Sequence, residues 1–123
     1  MSKSGTVTPS PIGNPKCYIA LLTQTGTNAP VATVLQNTLG GNPVWSYTST
    51  GDYAITLAGA WTANKTWAVC ATSFDTSNGL PVSGHCNVNN GDQDSFPLQL
   101  YNAAGTAVDD CLLLTAIQIL VYP

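Results

Sequence analysis

Arginine and glutamate are missing altogether from this chain of 123 residues, and charge of either sign is scarce. Lys3, Lys16, Lys65, Asp52, Asp75, Asp92, Asp94, Asp109 and Asp110 are the whole inventory, 7% of residues where about 25% is usual. Exposed helix faces are ordinarily covered by Glu, Lys and Arg, so the shortage argues against helices. It also removes whole classes of function. Binding nucleic acid needs several cations set against phosphates, and three scattered lysines in a chain of net charge −3 form no such stripe. The same lack disfavours docking on anionic membranes. No run approaches the ~18 apolar residues of a spanning helix, which excludes membrane insertion by that route. The opening MSKSGTVTPSPIGNPK lacks the apolar centre of a signal peptide. The expectation is a protein made in a host cytoplasm and released within assembled particles by lysis.

Catalytic equipment is equally thin. His85 is the single histidine. A serine hydrolase needs Ser, His and an acid converging, and no GxSxG elbow is present. His85 falls in polar sequence, where a solvated side chain is the plain reading. In extended chain His85 and Cys86 point to opposite faces, which counts against a Cys–His nucleophile pair. Two Asp residues across a cleft would suit glycoside hydrolysis, but most of the six sit in turn-like sequence that favours Asp for local hydrogen bonding. Asp109-Asp110 reads as a turn before the last strand. Residues 87–94, NVNNGDQD, have the oxygen content of a calcium loop. Their acids follow the Gly and the bidentate Glu is absent, so a solvated loop is expected. Asn64-Lys65-Thr66 matches a glycosylation sequon and, without a signal peptide, reads as accidental. No catalytic residue, metal site or cofactor is assigned, and the chain is read as not an enzyme.

Cys17, Cys70, Cys86 and Cys111 lack the short spacing of a zinc knuckle or a redox CxxC. Buried free thiols acting as small apolar residues are the first reading. Two disulfides formed after release, in any of three pairings, are the second, and metal ligation the third.

What the chain does contain is Thr, Val and Ala, with Asn and Gly between them, and 44% of its residues are apolar. Thr and Val favour strands, and Asn and Gly favour turns. The length suits one domain. Residues 1–16 hold Pro9, Pro11 and Pro15 and read as a flexible arm that could reach about 50 Å, either a floppy end or a tether that orders on a neighbouring subunit. Strands are expected over residues 17–24, 31–37, 44–48, 52–57, 67–74, 96–101 and 113–122. Ser49-Thr50-Gly51 should form a tight hairpin turn. Residues 75–95 read as a long loop with a short strand near 84–88. In the last strand Ile117, Ile119 and Val121 share a face opposite Gln118, Leu120 and Tyr122. Six to eight strands with turn signals about every ten residues predict an antiparallel β-sandwich over residues 17–123, Ig-like or jelly-roll in character.

Three tryptophans stand out in so small a chain. Trp45 and Trp67 are expected in the core. Trp61, between strands, is the one expected to be exposed, as an interface anchor or as a platform for a sugar ring.

The stretch Tyr18–Gly41, YIALLTQTGTNAPVATVLQNTLGG, resembles a short β-domain that recurs in tailed bacteriophages infecting Bacteroidetes. Val44-Trp45, Gly51-Asp52-Tyr53, Asn64-Lys65-Thr66 and Ile117–Tyr122, IQILVY, share the likeness. Proteins with that domain are commonly assigned to virion structure: head fibres, capsid decoration or minor components. The resemblance implies a non-enzymatic virion protein whose partners are copies of itself and other virion proteins, such as the major capsid protein. It transfers no catalytic residue. The four cysteines and the 75–95 segment depart from the pattern. Carbohydrate binding or host-surface adhesion through an exposed aromatic is the alternative.

Overall fold

The computed structural model describes residues 14–89 and 91–123. Among them there is no helix. Nine strands form two antiparallel sheets, the β-sandwich that the alternation predicts. The strands are β1 (Lys16–Thr23), β2 (Val31–Asn37), β3 (Val44–Ser49), β4 (Asp52–Thr56), β5 (Thr66–Cys70), β6 (Ser73–Phe74), β7 (Pro81–Cys86), β8 (Ser95–Tyr101) and β9 (Thr115–Val121). One sheet runs β2-β1-β9-β5 and the other β3-β4-β8-β7-β6.

Period-two patterning decides which side chains meet. Tyr18, Ala20 and Leu22 of β1 point inward beside Ile117, Ile119 and Val121 of β9. Tyr53 and Ile55 of β4 and Phe96, Leu98 and Leu100 of β8 face them from the second sheet. The β3–β4 hairpin forms where expected. Gly51 turns it at φ 63°, and a Cβ there would stand 2.7 Å from the Val108 nitrogen, so only glycine fits.

The middle of the chain departs from expectation in two ways. The strand expected over 67–74 breaks after Cys70. Its first part joins one sheet, and Ser73–Phe74 joins the other by pairing with β7. The short strand expected near 84–88 is present but earlier and longer, β7 at Pro81–Cys86, paired with β8 from Ser83 to Cys86. The last strand also starts later than predicted, at Thr115, leaving Leu113 and Leu114 in the preceding bend. Of the tether residues, Pro9 and Pro11 lie outside the described residues, and Pro15 immediately precedes β1.

Trp61 and Trp67 exchange their expected places. Trp61 is fully buried, edge-on to Phe96 with ring centroids 5.0 Å apart. Its backbone nitrogen donates to the Gln93 carbonyl, which draws the β4–β5 connection over the open end of the core. Burying a side chain of this size contributes about 4–6 kcal/mol of gross apolar transfer. Its Nε1 has no hydrogen-bond partner. Trp67 is 45% exposed on the outer face of β5. Trp45 lies in the core as expected, its Nε1 donating to Tyr18 Oη at 3.3 Å.

Candidate assembly surface

The outer face of the four-stranded sheet is built from the residues left over when the inward positions of β1, β9 and β5 fill the core. Strand register sets them in rows. Trp67 stands opposite Leu120, and Leu120 opposite Cys17. Val69, Gln118, Ile19 and Gln36 make the next row. Ala116, Leu21 and Thr33 make a third. None of the described charged side chains belongs to these rows. Polar character is limited to two amides and a hydroxyl.

The edge strand β2 extends the surface. An extra residue, Leu35, bulges between the pairs Ile19–Gln36 and Ala20–Val34. Val31, opposite the outward Thr23, and the bulged Leu35 are more than half exposed, whereas Val34 pairs with the inward Ala20 and lies on the other face. At the other edge, Val69, Ala71 and Ala116 lead into a cleft of about 450 Å³ lined by Phe74, Leu113 and Leu114. Leu113 is 73% exposed. Leu114 is also exposed and holds φ at 47°, in the left-handed region, a conformation that costs a non-glycine residue about 1 kcal/mol or more and collects at functional sites. The bend is fixed by hydrogen bonds from the Leu113 nitrogen to Thr115 Oγ1 and from the Leu114 nitrogen to Thr23 Oγ1, both 3.1 Å. Two leucines are thus held outward by a strained, hydrogen-bonded turn.

Magnitude decides what such a face does. Four strands about 4.8 Å apart, over five residues at about 3.3 Å each, give ~300 Å² of plan area before the cleft is added. That is at the low end of the ~300–600 Å² of the largest apolar patch on a typical monomer and well below the ~800 Å² per partner of a standard stable interface. The surface suits a contact of moderate strength that gains from repetition.

Trp67 also borders a groove of about 380 Å³ with Tyr122, Asn64, Lys65, Thr66 and Pro123. Tyr122 is exposed too. The aromatic available for stacking is therefore Trp67 and not Trp61.

The remaining sequence candidates are distributed elsewhere. His85 is exposed on β7, its Nε2 3.2 Å from Ser83 Oγ and its ring 5.6 Å from that of Tyr101. Cys86 turns inward from the same strand, as alternation requires. In the 87–94 segment, Asp94 accepts from the Gly59 nitrogen, Asp92 from the Asp94 nitrogen and Asn89 from the Asn64 nitrogen. These oxygens close turns and brace the connection that carries Trp61. Among the described residues no group of three or more His, Cys, Asp or Glu gathers in the geometry of a metal site.

Asp109 exceeds its sequence reading as a simple turn residue. Its carboxylate accepts from Tyr47 Oη at 2.7 Å, the Gly51 nitrogen at 2.8 Å and Tyr53 Oη at 2.8 Å. Tyr53 Oη is also 2.9 Å from Gln24 Oε1, so its one proton serves either acceptor. Gln24 Oε1 accepts from the Asp110 nitrogen as well, and Asp110 takes the Gly26 nitrogen at 2.6 Å. The hydrogen bond to Asp109 raises the Tyr47 pKa, and burial, with that carboxylate, raises the Tyr53 pKa. This cluster fastens the β8–β9 connection to the β3–β4 hairpin and the end of β1.

Comparison of the chain with models of protein families, with curated proteins and with solved structures finds no match in any of the three.

Proposed function

We propose that the protein is a non-enzymatic assembly module, a structural component of a bacteriophage virion such as a capsid decoration or fibre subunit. The observation that carries the assembly reading is the outer face of the β2-β1-β9-β5 sheet, apolar, without charge, and continued by the outward Leu113-Leu114 bend. A face with no charges offers nothing to an acidic or basic partner and matches best another face of its own kind. The chain itself presents such a face, so a second copy is its natural occupant, and residues 1–16 act as the tether to the particle. The phage context rests on the resemblance of residues 18–122.

Sedimentation equilibrium of the full-length protein tests the reading. Concentration-dependent self-association is expected, weakened about 10- to 30-fold by Trp67→Ser with Leu114→Ser, while the melting temperature of the double variant holds because both side chains are exposed. A chain that stays monomeric at the highest soluble concentration sinks self-assembly. The groove between Trp67 and Tyr122 supports a second reading, saccharide stacking. In that case oligosaccharide titration quenches fluorescence in the wild type and not in Trp67→Ser.

A further inference from the structure

The two sheets draw together at one seam, where β5, an edge strand of the first, lies against β7 of the second. Ala68 and Cys70 point into the seam from β5, and Val82, Gly84 and Cys86 from β7. Gly84 is what permits the approach: a Cβ there would stand 2.9 Å from Cys70 Sγ and 3.0 Å from Cys70 Cβ. Cys86 is the next inward position on the same strand, about 6.6 Å along. Cys70 and Cys86 therefore face one gap from opposite sheets. Both are free thiols, neither exposed nor wholly buried. Cys17 belongs to the outer face of β1, and Cys111 is buried after Asp110 with its Sγ 3.3 Å from the Asp109 carbonyl. Neither shares the seam.

We propose that Cys70 and Cys86 form an oxidation site, closing into a disulfide that bolts the two sheets together across the β5–β7 seam. Closure needs the Cβ atoms at about 3.8 Å, so the pair joins as the edge strand β5 shifts along β7 toward Cys86. β5 is held in register by β9 alone, so as an edge strand it shifts more readily than a strand paired on both sides. The co-reactant is a small dialkyl disulfide. One protein thiol loses its proton, and its thiolate attacks a sulfur of the reagent. A mixed disulfide forms and one reagent thiolate leaves, taking up a proton. The second protein thiolate then displaces the remaining reagent thiolate. In sum, two protein thiols lose two hydrogens and two electrons, and the reagent is reduced to two thiols. Burial pushes the Cys70 thiol up to about 11, and burial with the neighbouring Cys70 pushes Cys86 up to about 12. The pair is correspondingly slow to react and stays reduced in a reducing cytosol, closing in an oxidising exterior.

The experiment treats reduced full-length protein with 2-hydroxyethyl disulfide, then counts thiols by mass after alkylation in denaturant. The expected product has lost two of its four thiols without an adduct, and chymotryptic mapping links Cys70 to Cys86. The Cys17→Ser, Cys111→Ser double variant gives the same link, whereas Cys70→Ser takes only a mixed disulfide. The link encloses residues 71–85 and should raise the melting temperature by about 5–15 °C. Survival of all four thiols, a link through Cys17 or Cys111, or a Cys70–Cys86 link that leaves the melting temperature unchanged each overturns the proposal.

Discussion

Asp109 joins segments that are far apart in the chain, and its removal has a calculable cost. Asp109→Ala strands the Gly51 nitrogen and the Tyr47 hydroxyl in a half-buried site and leaves the Tyr53 hydroxyl to Gln24 alone, so a loss of about 2–3 kcal/mol is expected. Urea unfolding measures it as a lower midpoint at unchanged slope. Asp109→Asn should lose less, because its amide oxygen still accepts. Nothing local in Val108-Asp109-Asp110-Cys111 announces this role: the donors come from β3, the hairpin turn and β4, more than fifty residues earlier. The tryptophans show the same limit. Alternation puts Trp67, Val69, Ala71 and Ser73 on one face; the first three are exposed, whereas Ser73, past the break and in β6, is buried. Alternation does not say which face turns inward. The inward face of β5 is the small one, Ala68 and Cys70, because the sheets nearly touch at Gly84 and leave no room for an indole. Trp61 lies in no strand, and its burial depends on Gln93 and Phe96 closing around it.

Elements with a clear apolar pattern were legible whether their partner is near in sequence, as for β3 and β4, or distant, as for β1 and β9, and those without one, β6 and β7, were less so although they pair in sequence order. The β3–β4 hairpin and β9 follow from alternation and from Gly51, and β1 from its continuous apolar run, which suggests burial on both faces where the structure buries one and leaves the other half-buried. The split between β5 and β6 leaves no local signal, since Ala71-Thr72 continues the pattern of a strand. What directs Ser73–Phe74 to the second sheet is the partner, β7, hidden in sequence rich in Gly, Asn and Ser. The β5–β7 seam makes its own prediction. Gly84→Ala inserts a methyl group against the Cys70 side chain and pushes an edge strand off its neighbour, at an expected loss of about 1–3 kcal/mol. Hydrogen exchange should show the loss concentrated in β5 amides. Equal loosening of the central strands β1 and β8 would place the strain elsewhere.

At the scale of the whole molecule, behaviour in alkali is governed by groups that prefer to stay neutral. Tyr18, Tyr47 and Tyr53 are all raised from 10.0, and Cys70, Cys86 and Cys111 from 9.0, with burial the first cause for each except Tyr47, where the hydrogen bond to Asp109 leads. The folded state binds these protons more tightly than the unfolded chain does. Their contribution is complete below the ordinary values and is lost as pH climbs through and beyond them. The urea midpoint should therefore hold level to about pH 9 and fall steadily above it, and Tyr53→Phe should flatten part of the fall. A midpoint that rises between pH 9 and 11 contradicts this arrangement of phenols and thiols.

The bulge at Leu35 governs how copies can add to one another. A sheet edge with an unbroken comb of amide donors and acceptors invites the next molecule to add as another strand, and then the next, without end. On β2 the extra residue interrupts that comb. On β3 a second irregularity between Tyr47 and Ser49 does the same. β6 is two residues long, and β5 is crowded by β7. With every margin blunted, lateral strand addition has no template, and the self-contact proposed above would be left to the flat of the sheet. A chain nearly without charge thereby carries no open edge on which strands would add without limit.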